Sequence, residues 1–126
     1  MSWRIRIANT TDLLAQRASM ARSILSRMVG LLNRSGLADG EGLILPRCRA
    51  IHTWFMRFPI DAVFVDRQWQ VVAVHKALGP WRMTPCVWGA QAVIELPAGQ
   101  ADRARLGVGA QLVLEPLEGQ KILTPG

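Results

Sequence analysis

The stretch "DAVFVDRQWQVVAVHKAL", Asp61 to Leu78, decides the fold. Its first half is a continuous β-branched and aromatic run, and "QVVAVHKAL" is a second one. Short apolar runs of this composition read as strands, and two of them across the brief "RQW" turn predict a β-hairpin.

Just upstream lies "IHTWFMRFPI", Ile51 to Ile60. Taken as extended chain, Ile51, Thr53, Phe55 and Arg57 face one way. His52, Trp54, Met56 and Phe58 then face the other. That second face sets an imidazole beside an indole and a thioether, which suits the lining of a ligand pocket. It equally suits a core face with one satisfied histidine. Pro59 has no N–H for a β-ladder, so it belongs at an edge, a strand start or a bulge, and it holds Phe58 extended. Arg57 and Asp61 are placed to pair across Pro59.

Working outward, "WRIRIAN" (Trp3 to Asn9) alternates at period two and predicts a half-buried strand with Arg4 and Arg6 outward. "NTTD" offers helix N-cap chemistry before "LLAQRAS". Met20, Ile24, Met28 and Leu31/Leu32 recur at spacing three or four, so Ser19 to Leu32 predicts an amphipathic helix. "GLILP" (Gly42 to Pro46) is a short buried strand. Downstream, "GPWRMTPCVWG" is a loop with buried anchors. "AVIELP" is a strand with Val93, Glu95 and Pro97 on one half-exposed face. "AGQADRARLG" is a short helix or turn, and "AQLVLEPL" a last strand. The expected fold is mainly β (β-rich α+β). It is one antiparallel barrel- or jelly-roll-like sheet with one or two short helices packed on it.

The chain has 126 residues, 50% of them hydrophobic, so residues 1–126 are expected to form a single domain with its own core. No apolar run approaches the ~20 residues of a membrane span, and the start lacks a leader-like apolar segment. A cytoplasmic protein without a membrane span is therefore expected. The net charge is +6, with 12 basic and 5 acidic residues through Arg82 but 3 and 4 after it. Nearly all the cations are arginines, scattered without a basic run. That pattern reads as a solvated surface and argues against nucleic acid as the partner. Cys48 and Cys86 form no C-x-x-C pair and read as free thiols. A zinc site from Cys48, His52, His75 and Cys86 lacks a second close pair. No phosphate-loop, dinucleotide or nucleophile-elbow motif is present. No metal or cofactor is expected.

The chemistry then rests on few residues. If Glu95 points under the loop bearing Trp81 and Arg82, it meets Arg57 or Arg82. A carboxylate, an imidazole and guanidinium groups around one cavity suit a small anionic or polyhydroxylated ligand. The candidate ligand-binding residues are His52, Trp54, Met56, Arg57, Asp61, Trp81, Arg82 and Glu95. Two other readings stay open. One is a hydrolase- or isomerase-type acid–base enzyme using His52 with Asp61 or Glu95. The other is an interaction module for an anionic partner.

"HTWFMRFPIDAVFVD", "VVAVHKAL", "PWR" and "ELPAG", in this order, resemble the domain-of-unknown-function 192 family. So do "GLLNRSGLADGEGLIL" upstream and "GVGAQLVLEPL" downstream, and the likeness runs from about Arg22 to Leu117. Trp54 stands where that family usually has Phe, and Gln68–Trp69 replaces its Asp-Gly turn. The resemblance implies a small β barrel- or jelly-roll-like domain. It implies no established activity.

Overall fold

A computed structural model describes residues 2–20, 37–53 and 56–117. Seven strands follow one another: β1 (Ser2–Ile7), β2 (Leu13–Met20), β3 (Glu41–Pro46), β4 (Ile60–Val65), β5 (Val71–Leu78), β6 (Ala92–Pro97) and β7 (Leu112–Pro116). One short helix, α1 (Gln100–Arg103), lies between β6 and β7. The strands form a single sheet in the order β5-β4-β6-β3-β2-β1-β7, curled into a half-barrel. Neighbours are antiparallel except β2 and β3, which run parallel. The edge strands meet at one end, where Val71 N donates to Ala110 O at 2.9 Å and Leu112 N to Trp69 O at 3.0 Å.

Two apolar layers explain the two sequence patterns. Inside the curl, Ile5, Leu14, Ile44, Val63, Ile94 and Leu96 pack with Ala101 and Ala104 around α1. On the outer side of β3, β4 and β6, Leu45, Ile60, Phe64 and Val93 pack against Ile51, Met56, Phe58 and Ala90 from the flanking loops. β4 and β6 are thus covered on both faces, and all six residues of each are buried. That is why "DAVFVD" and "AVIELP" do not alternate. β1 is covered on one side only, so Ile5 and Ile7 are buried and Arg4 is exposed. Burial of Glu95 at 0% exposure corrects the half-exposed face expected for β6.

The predicted hairpin is β4–β5, and Pro59 directly precedes its first strand, Ile60–Val65. Its turn is built on Asp66, whose Oδ1 accepts from Gln68 N at 2.8 Å and Gln70 N at 2.9 Å. Trp69 takes the left-handed conformation there (φ 64°), the role a glycine would usually fill.

Other expectations fail for physical reasons. "NTTD" caps no helix: Thr10 Oγ1 donates to Ile7 O at 2.8 Å and accepts from Asp12 N at 3.1 Å, closing a β1–β2 hairpin. The same short polar side chains serve turns and N-caps alike. Ser19 and Met20 end β2, and the rest of the expected helix lies outside the described residues. In "GPWRMTPCVWG", Trp81 and Trp88 are 62% and 82% exposed, so the anchors are not tryptophans. Thr84 is the buried one.

Candidate functional site

Two buried carboxylates stand on adjacent strands. Asp61 on β4 is opposite Leu96 on β6, while Glu95 is opposite Ala62. Partners across a ladder share a face and successive residues alternate. Asp61 therefore points into the curl with Leu96, and Glu95 points to the outer, loop-covered face with Ala62.

Asp61 is fully engaged by backbone. Its Oδ1 accepts from Ala77 N at 2.8 Å, and its Oδ2 from Ala101 N at 2.9 Å and Gly99 N at 3.1 Å. The helix α1 has no side-chain cap of its own, and Gly99 at its N-cap has φ 93°. Asp61 supplies the cap from another strand, which places a negative charge at the helix start. The expected Arg57–Asp61 ion pair does not form, because Arg57 is exposed and Asp61 faces inward.

Around Glu95 the register builds a row. Leu43 on β3 is opposite Glu95, Glu95 opposite Ala62, and Ala62 opposite His75 on β5. His75 is half-buried and sits edge-on to Phe64, with ring centroids 5.5 Å apart at 71°. A small side chain, Ala62, thus separates an imidazole from a buried carboxylate. Two strand spacings of ~4.8 Å put their backbones ~10 Å apart.

The cover over this face is pinned by Thr53, which is wholly buried. Its N donates to Arg82 O at 2.7 Å, its Oγ1 accepts from Arg82 N at 2.9 Å, and its O accepts from Trp81 N at 3.1 Å. Thr53 Oγ1 also donates to Gly79 O at 2.5 Å. His52 bridges Met83 in the same ribbon, and Ile51 exchanges bonds with Thr84.

The eight candidate residues therefore do not converge on one cavity. His52, Trp81 and Arg82 share the ribbon, with Trp81 and Arg82 exposed. Glu95 lies on the sheet face. Met56 is packed in the outer core, because Met56 N donates to Thr53 O at 3.1 Å and this turn breaks the alternation. Arg57 is on the surface, Asp61 faces the other way, and Trp54 lies outside the described residues. The alignment of His75 with Glu95 across Ala62 has no local signal in the sequence, since none gives the register. Neither Cys48 nor Cys86 is in a disulfide, and Cys48 Sγ donates to Ala50 O at 3.0 Å. Among the described residues no three His, Cys, Asp or Glu side chains gather as a metal would need. Nor is any helix there long and apolar enough to cross a membrane.

The model of the DUF192 family, described as "Uncharacterized ACR", matches residues 5–114. The chain belongs to that family. A UPF0127 protein from Thermococcus sibiricus is 32% identical over 100 residues, covering 76% of this chain and 64% of that one. The chain thus spans about two-thirds of that relative's length. Two crystal structures share the fold. A protein of unknown function from Novosphingobium aromaticivorans has a TM-score of 0.74 at 22% identity, over 90% of this chain and 84% of that one. A putative transcription regulator from Sinorhizobium meliloti has 0.75 at 21%, over 90% and 94%. At these identities the likeness is one of fold alone. DUF192 membership accounts for the mainly β architecture and leaves the activity open.

Proposed function

We propose that this DUF192 domain binds a small polyhydroxylated or anionic molecule on the loop-covered face of its sheet. Glu95 is the central contact, with His75 in the same cross-strand row and the exposed Trp81 and Arg82 on the covering ribbon. The observation that carries the reading is the row His75–Ala62–Glu95, which sets a wholly buried carboxylate on the loop-covered face of the sheet. Placing a carboxylate there costs several kcal/mol unless it is compensated, and such positions favour functional sites over purely structural ones. Hydroxyl groups of a ligand would donate to Glu95, and an acidic group would meet the exposed guanidinium of Arg82.

A thermal-shift screen of sugars, polyols, sugar acids and acidic metabolites tests this. A ligand that raises Tm for the native chain should lose its effect in Glu95→Gln and in Ala62→Leu, which enlarges the side chain beside Glu95. An undiminished shift in both variants, or no hit, would overturn the proposal. Acid–base catalysis is the second reading, favoured by the shared row of His75 and Glu95. Its version with His52 and Asp61 has no support, since Asp61 is committed to three backbone N–H groups.

A further inference from the structure

A second polar surface lies away from Glu95, on the outer side of β1, β2 and β7. There an open groove of about 660 Å3 is lined by Arg4, Arg6, Thr11, Gln16, Arg17 and Glu115, among others. Its construction explains its charge. Trp3 pairs with Ala18 and Ile5 with Ala15, so two residues of β2, Gln16 and Arg17, oppose the single residue Arg4. Gln16 N and Arg17 N both donate to Gly40 O, at 2.8 and 2.9 Å, which fixes this bulge. A bulge of this kind re-aims side chains. Here consecutive residues of β2 are both exposed and both line the groove with Arg4.

Three guanidinium groups and one carboxylate give the groove a formal net charge of about +2. Glu115 offsets it weakly: Arg6 Nε is 3.7 Å from Glu115 Oε1, and both side chains are substantially exposed. Arg4 and Arg6 are two residues apart on one strand, so their backbones are spaced ~7 Å. From that spacing the two long side chains can reach neighbouring groups of one anionic chain. Arg17 stands across the ladder beside Arg4.

We infer that this groove binds a linear oligophosphate, a di- or triphosphate chain that is either free or carried by a nucleotide. One phosphoryl group sits between Arg4 and Arg17 and the next meets Arg6, displacing Glu115. The inference is independent of the site at Glu95.

The test is calorimetric titration of the full chain at low salt with tripolyphosphate, a nucleoside triphosphate and orthophosphate. Tripolyphosphate and the nucleotide should bind at least about tenfold more tightly than orthophosphate at equal ionic strength. Comparable affinities for tripolyphosphate and the nucleotide mark a site for the phosphate chain alone, and tighter nucleotide binding adds a base or sugar contact. Arg4→Gln and Arg17→Gln should each weaken binding about tenfold, and Glu115→Gln should tighten it. Arg67→Gln, an exposed arginine in the β4–β5 turn, should leave it unchanged. Circular dichroism confirms that each variant is folded. Equal binding of orthophosphate, insensitivity to Arg4→Gln with Arg17→Gln, or no binding at low salt would overturn the inference. Tighter binding of a single-stranded oligonucleotide than of tripolyphosphate would overturn it too, in favour of a nucleic-acid surface.

Discussion

Asp61 and Glu95 occupy adjacent strands one register step apart, yet they face opposite layers of the sheet. Both are wholly buried. Asp61 turns inward and holds three backbone N–H groups from β5, the Gly99 turn and α1. Glu95 turns outward under the ribbon pinned by Thr53. Two carboxylates that look alike in sequence therefore have separable roles, and substitution distinguishes them.

Asp61→Ala leaves three buried or part-buried N–H groups without their acceptor. Each charge-assisted bond contributes ~1.5–3 kcal/mol, and because such losses are not additive the total expected is about 3–5 kcal/mol. Asp61→Asn keeps one acceptor oxygen and should lose about half of that. Urea unfolding followed by circular dichroism measures both. A cost for Asp61→Ala under about 1 kcal/mol, the size of an ordinary surface change, would remove Asp61 from its anchoring role.

Glu95→Gln should behave in the opposite way. It keeps the shape of the side chain and one acceptor oxygen while removing the charge. Its stability should fall by less than about 1 kcal/mol, or rise, as when a functional group is replaced by a neutral one. A loss of about 3 kcal/mol or more in the same urea assay would make Glu95 structural, like Asp61.

How far these roles were legible in the sequence depends on register. The apolar runs announced β4, β5 and β6, but not that β4 and β6 are covered on both sides while β5 lies half-exposed at the sheet edge. The alignment of His75 with Glu95 was hidden by a one-residue irregularity. Val65 pairs with Val71 but Phe64 pairs with Ala73, so Val72 is extra. Without that bulge His75 would fall opposite Asp61, on the inner face; with it, His75 falls opposite Ala62. A slip of one residue flips every side chain, and nothing local in "QVVAVHKAL" encodes it. A second bulge sets Lys76 and Ala77 against Asp61, and Ala77 adopts φ 49° where Asp61 takes its N–H. Exposure of Trp81 and Trp88 was equally illegible, since tryptophan is usually taken as an anchor. Thr53, which does the anchoring, is small and ordinary in sequence.

Thr53→Val keeps the shape of the side chain but removes the hydroxyl that bonds Gly79 O and Arg82 N. Loss of these bonds in a buried setting should cost about 1–3 kcal/mol. The loop should also loosen locally, and Arg82 within it is exposed. Trypsin should then cut after Arg82 faster than in the native chain, and Thr53→Ser should restore resistance. Unchanged cleavage, read by mass spectrometry, would show that the ribbon does not depend on this hydroxyl.

The β5 bulge is also tied to α1 at the surface, where Lys76 Nζ lies 2.6 Å from Asp102 Oδ1. The hydrogen bond to Asp102, reinforced by its charge, holds the Lys76 ammonium above its ordinary value near 10.5, with a smaller pull from the charge of Asp61. A group whose value is raised by folding stabilises fully below its unfolded value and loses that contribution as pH climbs through the folded one. The stability difference between the native chain and Lys76→Met should therefore be level between about pH 7 and 9 and shrink toward pH 11, past the unfolded lysine value near 10.4. Both side chains are well exposed, so the difference is small and falls further with added salt. Paired urea titrations at the three pH values read it directly, and a gap that widens toward pH 11 would show that the lysine is not held by Asp102 in solution.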